Sequence, residues 1–322
     1  MRMKLRQIAH ALAVSRHGGF RRAAEAQHLS QPALSRSIHN LEEALGVPLF
    51  DRESSEVTLT PYGEVFLRRA EAILAEAAEL EREMSAMKGL GVGRLAVGMS
   101  VTAARLSGVR AMAQLLGEHP GLQARLETRP CRDVERRVRS RQVDIGFGEI
   151  GHLHDTPELE VEAVARHEMV FYCRTGHPLL DRDDALSHAD LDEYPFAGIP
   201  IPFRLARLFP HNRHLDQDTG ELFPPILVED LEAACNIVAR TDALGVAVPL
   251  LLEPWLQRGE LAVLPFRRPW LRVDYGFITL ASRATAPAVE LFKDQVRELE
   301  LEVVARNEAL LEEVFQAAAP AA

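Results

Sequence analysis

Between positions 66 and 87 the apolar residues Phe66, Ala70, Ile73, Ala77, Leu80, Met84 and Met87 recur at steps of 4, 3, 4, 3, 4 and 3. That is three heptads of a narrow seam. Arg68, Arg69, Glu71, Glu76, Glu79, Glu81, Arg82 and Glu83 occupy the other faces. A helix cannot cover such a stripe by itself. So narrow and regular a stripe suits a partner helix better than a broad globular core. The spacing predicts a dimerisation helix over 61–92, opened by the cap and first-turn proline of Thr60-Pro61. It closes on Lys88-Gly89-Leu90-Gly91-Val92-Gly93, whose alternating glycines make a hinge.

The chain on either side of this helix has two different characters. Over 1–60 the periodicity is helical and short. Leu5, Ile8, Ala9 and Leu12 form one face of a first helix, stopped at His17-Gly18-Gly19. Phe20 to Gln27 is a second, with Phe20, Ala23 and Ala24 inward. Ser30 and Pro32 open a third, whose stripe Leu34, Ile38, Leu41 and Leu45 ends at Gly46. Two small helices joined by Gln27-His28-Leu29-Ser30 make a helix-turn-helix. The outer side of its second helix carries Gln31, Pro32, Ser35, Arg36 and His39, short or forked hydrogen-bonding groups suited to base edges, with no acid before Glu42. Val47-Pro48-Leu49-Phe50 and Val57-Thr58-Leu59 then alternate as two strands of a wing. Residues 1–60 hold eight Lys/Arg against six Asp/Glu, so the net charge of −10 divides into +2 for this head and −12 for the remainder.

At this point a family becomes visible. Ala23-Ala24-Glu25, Leu29-Ser30-Gln31-Pro32-Ala33-Leu34-Ser35-Arg36, Leu41-Glu42, Leu45-Gly46-Val47-Pro48-Leu49-Phe50-Asp51-Arg52, Leu59-Thr60-Pro61 and Gly63 closely resemble the LysR-type transcriptional regulators. The resemblance implies that Gln31, Pro32, Ser35, Arg36 and His39 face the major groove of double-stranded promoter DNA. Phe20 would lie at the same surface, and Arg52 at the base of the wing near the phosphates. It also implies dimers that pair into tetramers on an interrupted palindrome, a small-molecule effector, and contact with RNA polymerase. Glu53 and Glu56 depart from the pattern, because acid at a wing tip repels phosphate.

From Arg94 the pattern becomes strand–helix alternation. Strands are expected at Leu95–Met99, Leu122–Glu127 and Val143–Gly148, separated by helices at Thr102–Gly117 and Arg132–Ser140, which implies parallel βαβ units. A second set follows with strands at Met169–Cys173, Ile226–Val228 and Gly245–Pro249, and Val273–Leu280 returns to the first set. The reading is an α/β chain with an N-terminal winged helix-turn-helix, a long linker helix and a two-lobed body, which the resemblance implies is similar to the periplasmic binding proteins. Lobe I is 93–164 with 271–305, lobe II is 165–270, and 306–322 is an extension beyond the usual family length.

Ligands of α/β sheets bind at the carboxyl ends of strands. That nominates Ser100 and Thr102, whose hydroxyls and neighbouring amides suit a carboxylate or similar anion. Family position adds Arg129, Pro130 and Cys131 after the second strand, and Ile199, Pro200 and Phe203 in the second lobe. Asn236 and Thr241 are expected to approach from lobe II. The extension carries a stripe of Leu299, Val303, Leu310, Leu311 and Val314, interrupted by Asn307, with a frayed end at 317–322.

Composition closes off other classes. With 47% apolar and 26% charged residues the chain is globular. It has no apolar run of about 18 residues to span a bilayer, and its N-terminus lacks the pattern of a secretory signal. Cys131, Cys173 and Cys235 are odd in number and far apart, which fits reduced thiols in the cytoplasm. His152, His154 and Asp155 are too few and too unsupported for a metal site, so neither metal nor cofactor is expected. Phosphate-loop, GxSxG, HExxH and dinucleotide fingerprints are all missing, and an enzyme is not expected. Two alternatives stay open on the residues alone: a thiol response at Cys131, flanked by Arg129 and Arg132, and a ligand-binding protein whose helical head reads no DNA.

Overall fold

The computed structural model describes residues 3–51, 57–87, 93–153, 156–182, 184–199, 211, 214–215, 222–283 and 285–317. Arg52, the wing tip, the hinge at 88–92, His154, Asp155, Pro200, Phe203 and 318–322 lie outside them, as do the side chains of Met84 and Met87. The chain divides into two compact units, one formed by Met1–Gly93 with Ser140–Gln142 and the other by Arg94–Arg139 with Val143–Ala322.

In the first unit, helix α1 (Leu5–His17) stops where Gly18 takes φ +61, and α2 (Phe20–Ala26) follows directly. Helix α3 (Gln31–Leu45) has Ser30 in extended conformation at its cap position and ends on Gly46 at φ +75. Ala11, Val14, Ala23, Ala24, Leu34, Ile38 and Leu41 close one core with Leu49 and Phe50. Strands β1 (Phe50–Asp51) and β2 (Thr58–Leu59) pair antiparallel, shorter than their apolar patterns promised. The Glu42 carboxylate accepts from the amides of Leu49 (2.8 Å) and Phe50 (3.3 Å) and so pins the start of the wing to α3. The Thr60 hydroxyl donates to the Pro48 carbonyl (2.7 Å) and accepts from the Gly63 amide (3.0 Å). Gly63 leaves no room for a side chain, since a Cβ there would run into the Leu49 carbonyl.

Helix α4 (Pro61–Met87) is one continuous helix, as the seam required. Its apolar residues are shared out differently from the expectation. Ala70 is fully buried against Ile8 and Leu12 of α1, with Phe66, Leu67 and Leu74 packed beside it. Ile73 (38% exposed) and Leu80 (58%) face outward, together with Tyr62 (58%) and Val65 (54%). Phe66 and Ala70 therefore belong to the head's own core, and the uncovered stripe is rotated toward Tyr62 and Val65.

Among the described residues the second unit contains a five-stranded sheet, a three-stranded sheet and two short two-stranded pairings, Leu215 with Leu222 and Ala197 with Ile226. Strands β3 (Arg94–Met99), β4 (Gln123–Thr128) and β5 (Ile145–Glu149) are mutually parallel, as the βαβ reading required. Val101–Ala103, a π-helical turn at Ala104–Gly108 and α5 (Val109–Glu118) form the first crossover, and α6 (Cys131–Arg139) the second. Gly146 lies under α6, where a Cβ would press within 2.8 Å of Val134. Asp144 staples the same corner: one carboxylate oxygen accepts from the Ala96 amide (2.7 Å) and the other meets Arg283 (2.9 Å). The sheet continues antiparallel through a long strand that alternation analysis passed over, β6 (Leu159–Glu168). β6 runs past the expected lobe boundary at 164.

The smaller sheet is antiparallel. Its central strand β7 (Val170–Arg174) lies between β8 (Gly245–Ala247) and β9 (Leu261–Val263), with α7 (Leu231–Val238) packed against it. His177 is fully buried: its Nδ1 accepts from the Leu179 amide (3.1 Å) and its Nε2 donates to the Asp242 carbonyl (3.2 Å). That accounts structurally for His177-Pro178-Leu179. The chain returns to the first sheet in β10 (Arg272–Leu280), which sits between β5 and β6. The two crossing segments are tied by the Met169 amide donating to the Leu271 carbonyl (2.8 Å).

The last helix, α8 (Pro287–Ala317), joins both lobes. Its first half buries Val289, Phe292, Val296 and Leu299, with Phe292 edge-on to Phe277 of β10. Glu300, deeply buried, accepts from Ser107 of the π turn and meets His167 of β6 at 2.8 Å. Its second half seats Leu311 in the core of the smaller sheet beside Leu252 and Trp255, with Val314 and Phe315 against it. Asn307, which seemed to interrupt the stripe, is buried and accepts from the Leu250 amide (3.1 Å), capping the turn Pro249–Leu252. Arg267 pairs with Glu312 (3.1 Å), and Arg306 with Glu253. The extension therefore packs on its own second lobe. Leu311→Ala is expected to cost about 2–4 kcal/mol and to lower the Tm by roughly 5–10 °C. An unchanged melt would show that the packing of the extension contributes nothing.

Candidate nucleic-acid interface and effector cavity

The face of α3 opposite Leu34, Ile38 and Leu41 presents Gln31, Pro32, Arg36 and His39 exposed, with Ser35 half-buried. No acid stands in the first turn, so the positive end of the helix is uncompensated there. His39 approaches Glu43 one turn on, at 3.5 Å. The turn between α2 and α3 is tight: the Leu29 amide donates to the Ala24 carbonyl (2.9 Å), and His28 takes φ +53. A left-handed histidine carries no sequence signature that would have announced it. Phe20 takes the inward place that its helix pattern gave it and not the DNA-facing one that the resemblance implied. Its ring is half-buried and edge-on to Phe50 at 5.9 Å, so it supports α2 from within and does not face outward.

In the second unit a cavity of about 610 Å³ lies where β3, β4 and β5 end. That size suits a metabolite or drug-sized ligand. Ser100, Thr102, Arg129, Pro130, Cys131 and Ile199 line it, as nominated. The Ser100 hydroxyl also caps its own turn, accepting from the Ala103 amide (3.3 Å). Thr102 hydrogen-bonds to Tyr275 of β10, whose phenol is held well above its ordinary pKa by burial. Arg129 pairs loosely with Asp133 (3.9 Å) and Glu127 (4.0 Å).

Asn236 is a correction. It lies on the exposed side of α7, where its amide donates to the Glu232 carbonyl (3.0 Å) and its oxygen accepts from Arg240 (3.0 Å). α7 turns Leu231 and not Asn236 toward the cavity. Thr241 bonds back to the Ile237 carbonyl (2.9 Å).

Other lining residues escaped the sequence reading. Glu149 ends β5 and could have been found by the strand-end rule. It is nearly buried and meets His152 at 3.2 Å, while His152 also reaches Glu135 (3.3 Å). The hydrogen bond to Glu149 is the main cause that raises the His152 pKa. This explains His152 as an ion-pair partner. Among the described residues no group of His, Cys, Asp and Glu is placed to hold a metal. Tyr275, Phe171, Phe196 and Val246 reach the cavity from strands and turns far apart in sequence, with no local signal.

Cys173 is buried in β7, and burial pushes its thiol up to about 12; Cys235 is likewise pushed up to about 11. Burial thus disfavours a thiolate at either position near neutrality. No helix of the described residues is long and apolar enough to cross a membrane.

Comparison with known proteins decides the family. Residues 5–64 match the bacterial regulatory helix-turn-helix protein of the lysR family, and residues 88–300 match the LysR substrate binding domain. The chain belongs to the LysR family of transcriptional regulators. This LysR regulator is 34% identical, over 292 residues, to the SDS degradation transcriptional activation protein of Pseudomonas sp. (strain ATCC 19151), covering 90% of this chain and 94% of that one. It is 27% identical to the HTH-type transcriptional regulator GbpR of Azospirillum brasilense, over 89% and 83% of the two chains. Its fold is similar to a full-length OxyR variant from Pseudomonas aeruginosa (TM-score 0.63, 21% identity, 92% and 95% coverage). It is also similar to full-length CbnR complexed with its target DNA (TM-score 0.62, 21% identity, 92% and 100% coverage). The chain is thus a DNA-binding transcriptional regulator with an effector-binding domain, and the relatives are regulators, not enzymes.

Proposed function

We propose that the protein binds an interrupted palindromic promoter site as a dimer of dimers and responds to a small molecule held in the 610 Å³ cavity. The observation that carries the DNA side is the outer face of α3, polar, forked and free of acid in its first turn, on a helix whose other face is locked in the core. The exposed stripe Tyr62, Val65, Ile73 and Leu80 supports pairing of two chains along α4. Two winged heads related by a two-fold axis then meet two half-sites. The relative named for transcriptional activation supports an activating response.

The effector has to bind one arrangement of the subunits better than another, because equal affinity for both shifts nothing. A complete switch needs a preference of about 10⁴-fold. The altered assembly would then bend the DNA differently and change contact with RNA polymerase.

Footprinting of the full-length protein on its promoter tests the assembly. Two protected half-sites are expected with centres one helical turn or a whole multiple of about 34–36 Å apart. A single protected half-site would overturn the two-fold reading.

A further inference from the structure

The cavity has two chemically different walls, one from each lobe. The first-lobe wall, at the ends of β3, β4, β5 and within β10, contributes Ser100, Thr102, Thr128, Arg129, Glu149 and Tyr275. The second-lobe wall contributes Phe171, Phe196, Ile199, Leu227, Val246 and Leu251. Its two acidic residues do not change that character: the Asp230 carboxylate caps α7 through the Ala233 amide (2.8 Å), and Glu229 is exposed. Leu227 lines the cavity while half of it remains exposed, at 50%.

A ligand bearing polar groups all round would strand its own polar atoms against the second wall, at a desolvation cost no partner offsets. An apolar ligand would leave the hydroxyls and guanidiniums of the first wall facing hydrocarbon. Resting on the effector reading above, we infer that the effector is an amphiphile: an aliphatic or ring body against the second lobe, with one oxygen head against Ser100, Thr102, Thr128 and Arg129. Arg105 also lines the first wall. An ammonium head would present donors only, to two guanidiniums that can accept nothing. Glu149 does not stand as a free counter-ion, because His152 engages it at 3.2 Å.

Straight-chain fatty acids serve as probes for the intact protein. Hexanoate, octanoate and decanoate, titrated calorimetrically below their aggregation concentrations, are expected to bind with Kd falling about fourfold for each added methylene. Decanoate is expected to bind tighter than decylamine. Leu227→Asn, at a half-exposed position that tolerates polarity, is expected to weaken decanoate about tenfold in a protein whose ligand-free melt is unchanged. A flat series, no binding by any alkanoate, a tighter decylamine, or an unaffected Leu227→Asn would each overturn the amphiphile. Duplex binding by the ligand-free protein is measured in parallel. Its loss would count against the regulator reading, while the chain-length series still judges the cavity.

Discussion

Arg36→Ala is expected to lower affinity for the promoter site by roughly 5- to 150-fold, the value of one bidentate base contact at about 1–3 kcal/mol. Binding to unrelated duplex should fall much less, since only one positive charge is lost from a sequence-independent interaction. The residue stands exposed on α3, on the face opposite Leu34 and Ile38. Its removal leaves the core of the head untouched, and the melting temperature should not move. Arg36→Lys separates fork from charge: it keeps the phosphate attraction and loses the paired donors. It should therefore retain non-specific affinity while resembling Arg36→Ala in specificity. Competition binding with specific and scrambled duplexes reads both quantities. An unchanged ratio in Arg36→Ala would sink the assignment of α3 as the reading helix.

The second large effect is on assembly. Ile73→Glu combined with Leu80→Glu places two carboxylates on each strand of the exposed stripe, four at a paired interface. Both positions are open in the single chain, at 38% and 58% exposure, so the head should still fold. The expected result is a monomer by sedimentation. Affinity for a two-half-site duplex should fall by about 10²–10⁴, because the second contact is no longer intramolecular. Affinity for an isolated half-site should stay the same. Ala70→Glu makes the contrast: Ala70 is fully buried against Ile8 and Leu12, so this change should lower the Tm of the head itself. A double variant that remains dimeric at micromolar concentration would refute α4 pairing.

Features set by short-range pattern were legible in the order of residues alone. The first and third head helices stop where Gly18 and Gly46 supply positive φ, and α4 is continuous because nothing in its 27 residues breaks it. The parallel order of β3, β4 and β5 followed from the βαβ spacing. Ser100, Thr102 and Arg129 were placed at the cavity because strand ends and family motifs are local features.

Which apolar residues face inward was settled by long-range packing. Heptad spacing gave Phe66, Ala70, Ile73 and Leu80 one label, and the docking of α1 separated the first two from the last two. Phe20 read as inward from its helix pattern, but its partner Phe50 arrives from the wing, thirty residues on, where no local window reaches. Strand β6 was hidden in a Glu- and Ala-rich segment of weak strand propensity; pairing with β10 along its length overrides that propensity. Asn307 read as a flaw in a stripe until the Leu250 amide, 57 residues away, gave it a partner. The second wall of the cavity was illegible for the same reason. Phe171, Phe196 and Val246 sit on separate elements, and their convergence depends on contacts between distant segments that no local window contains.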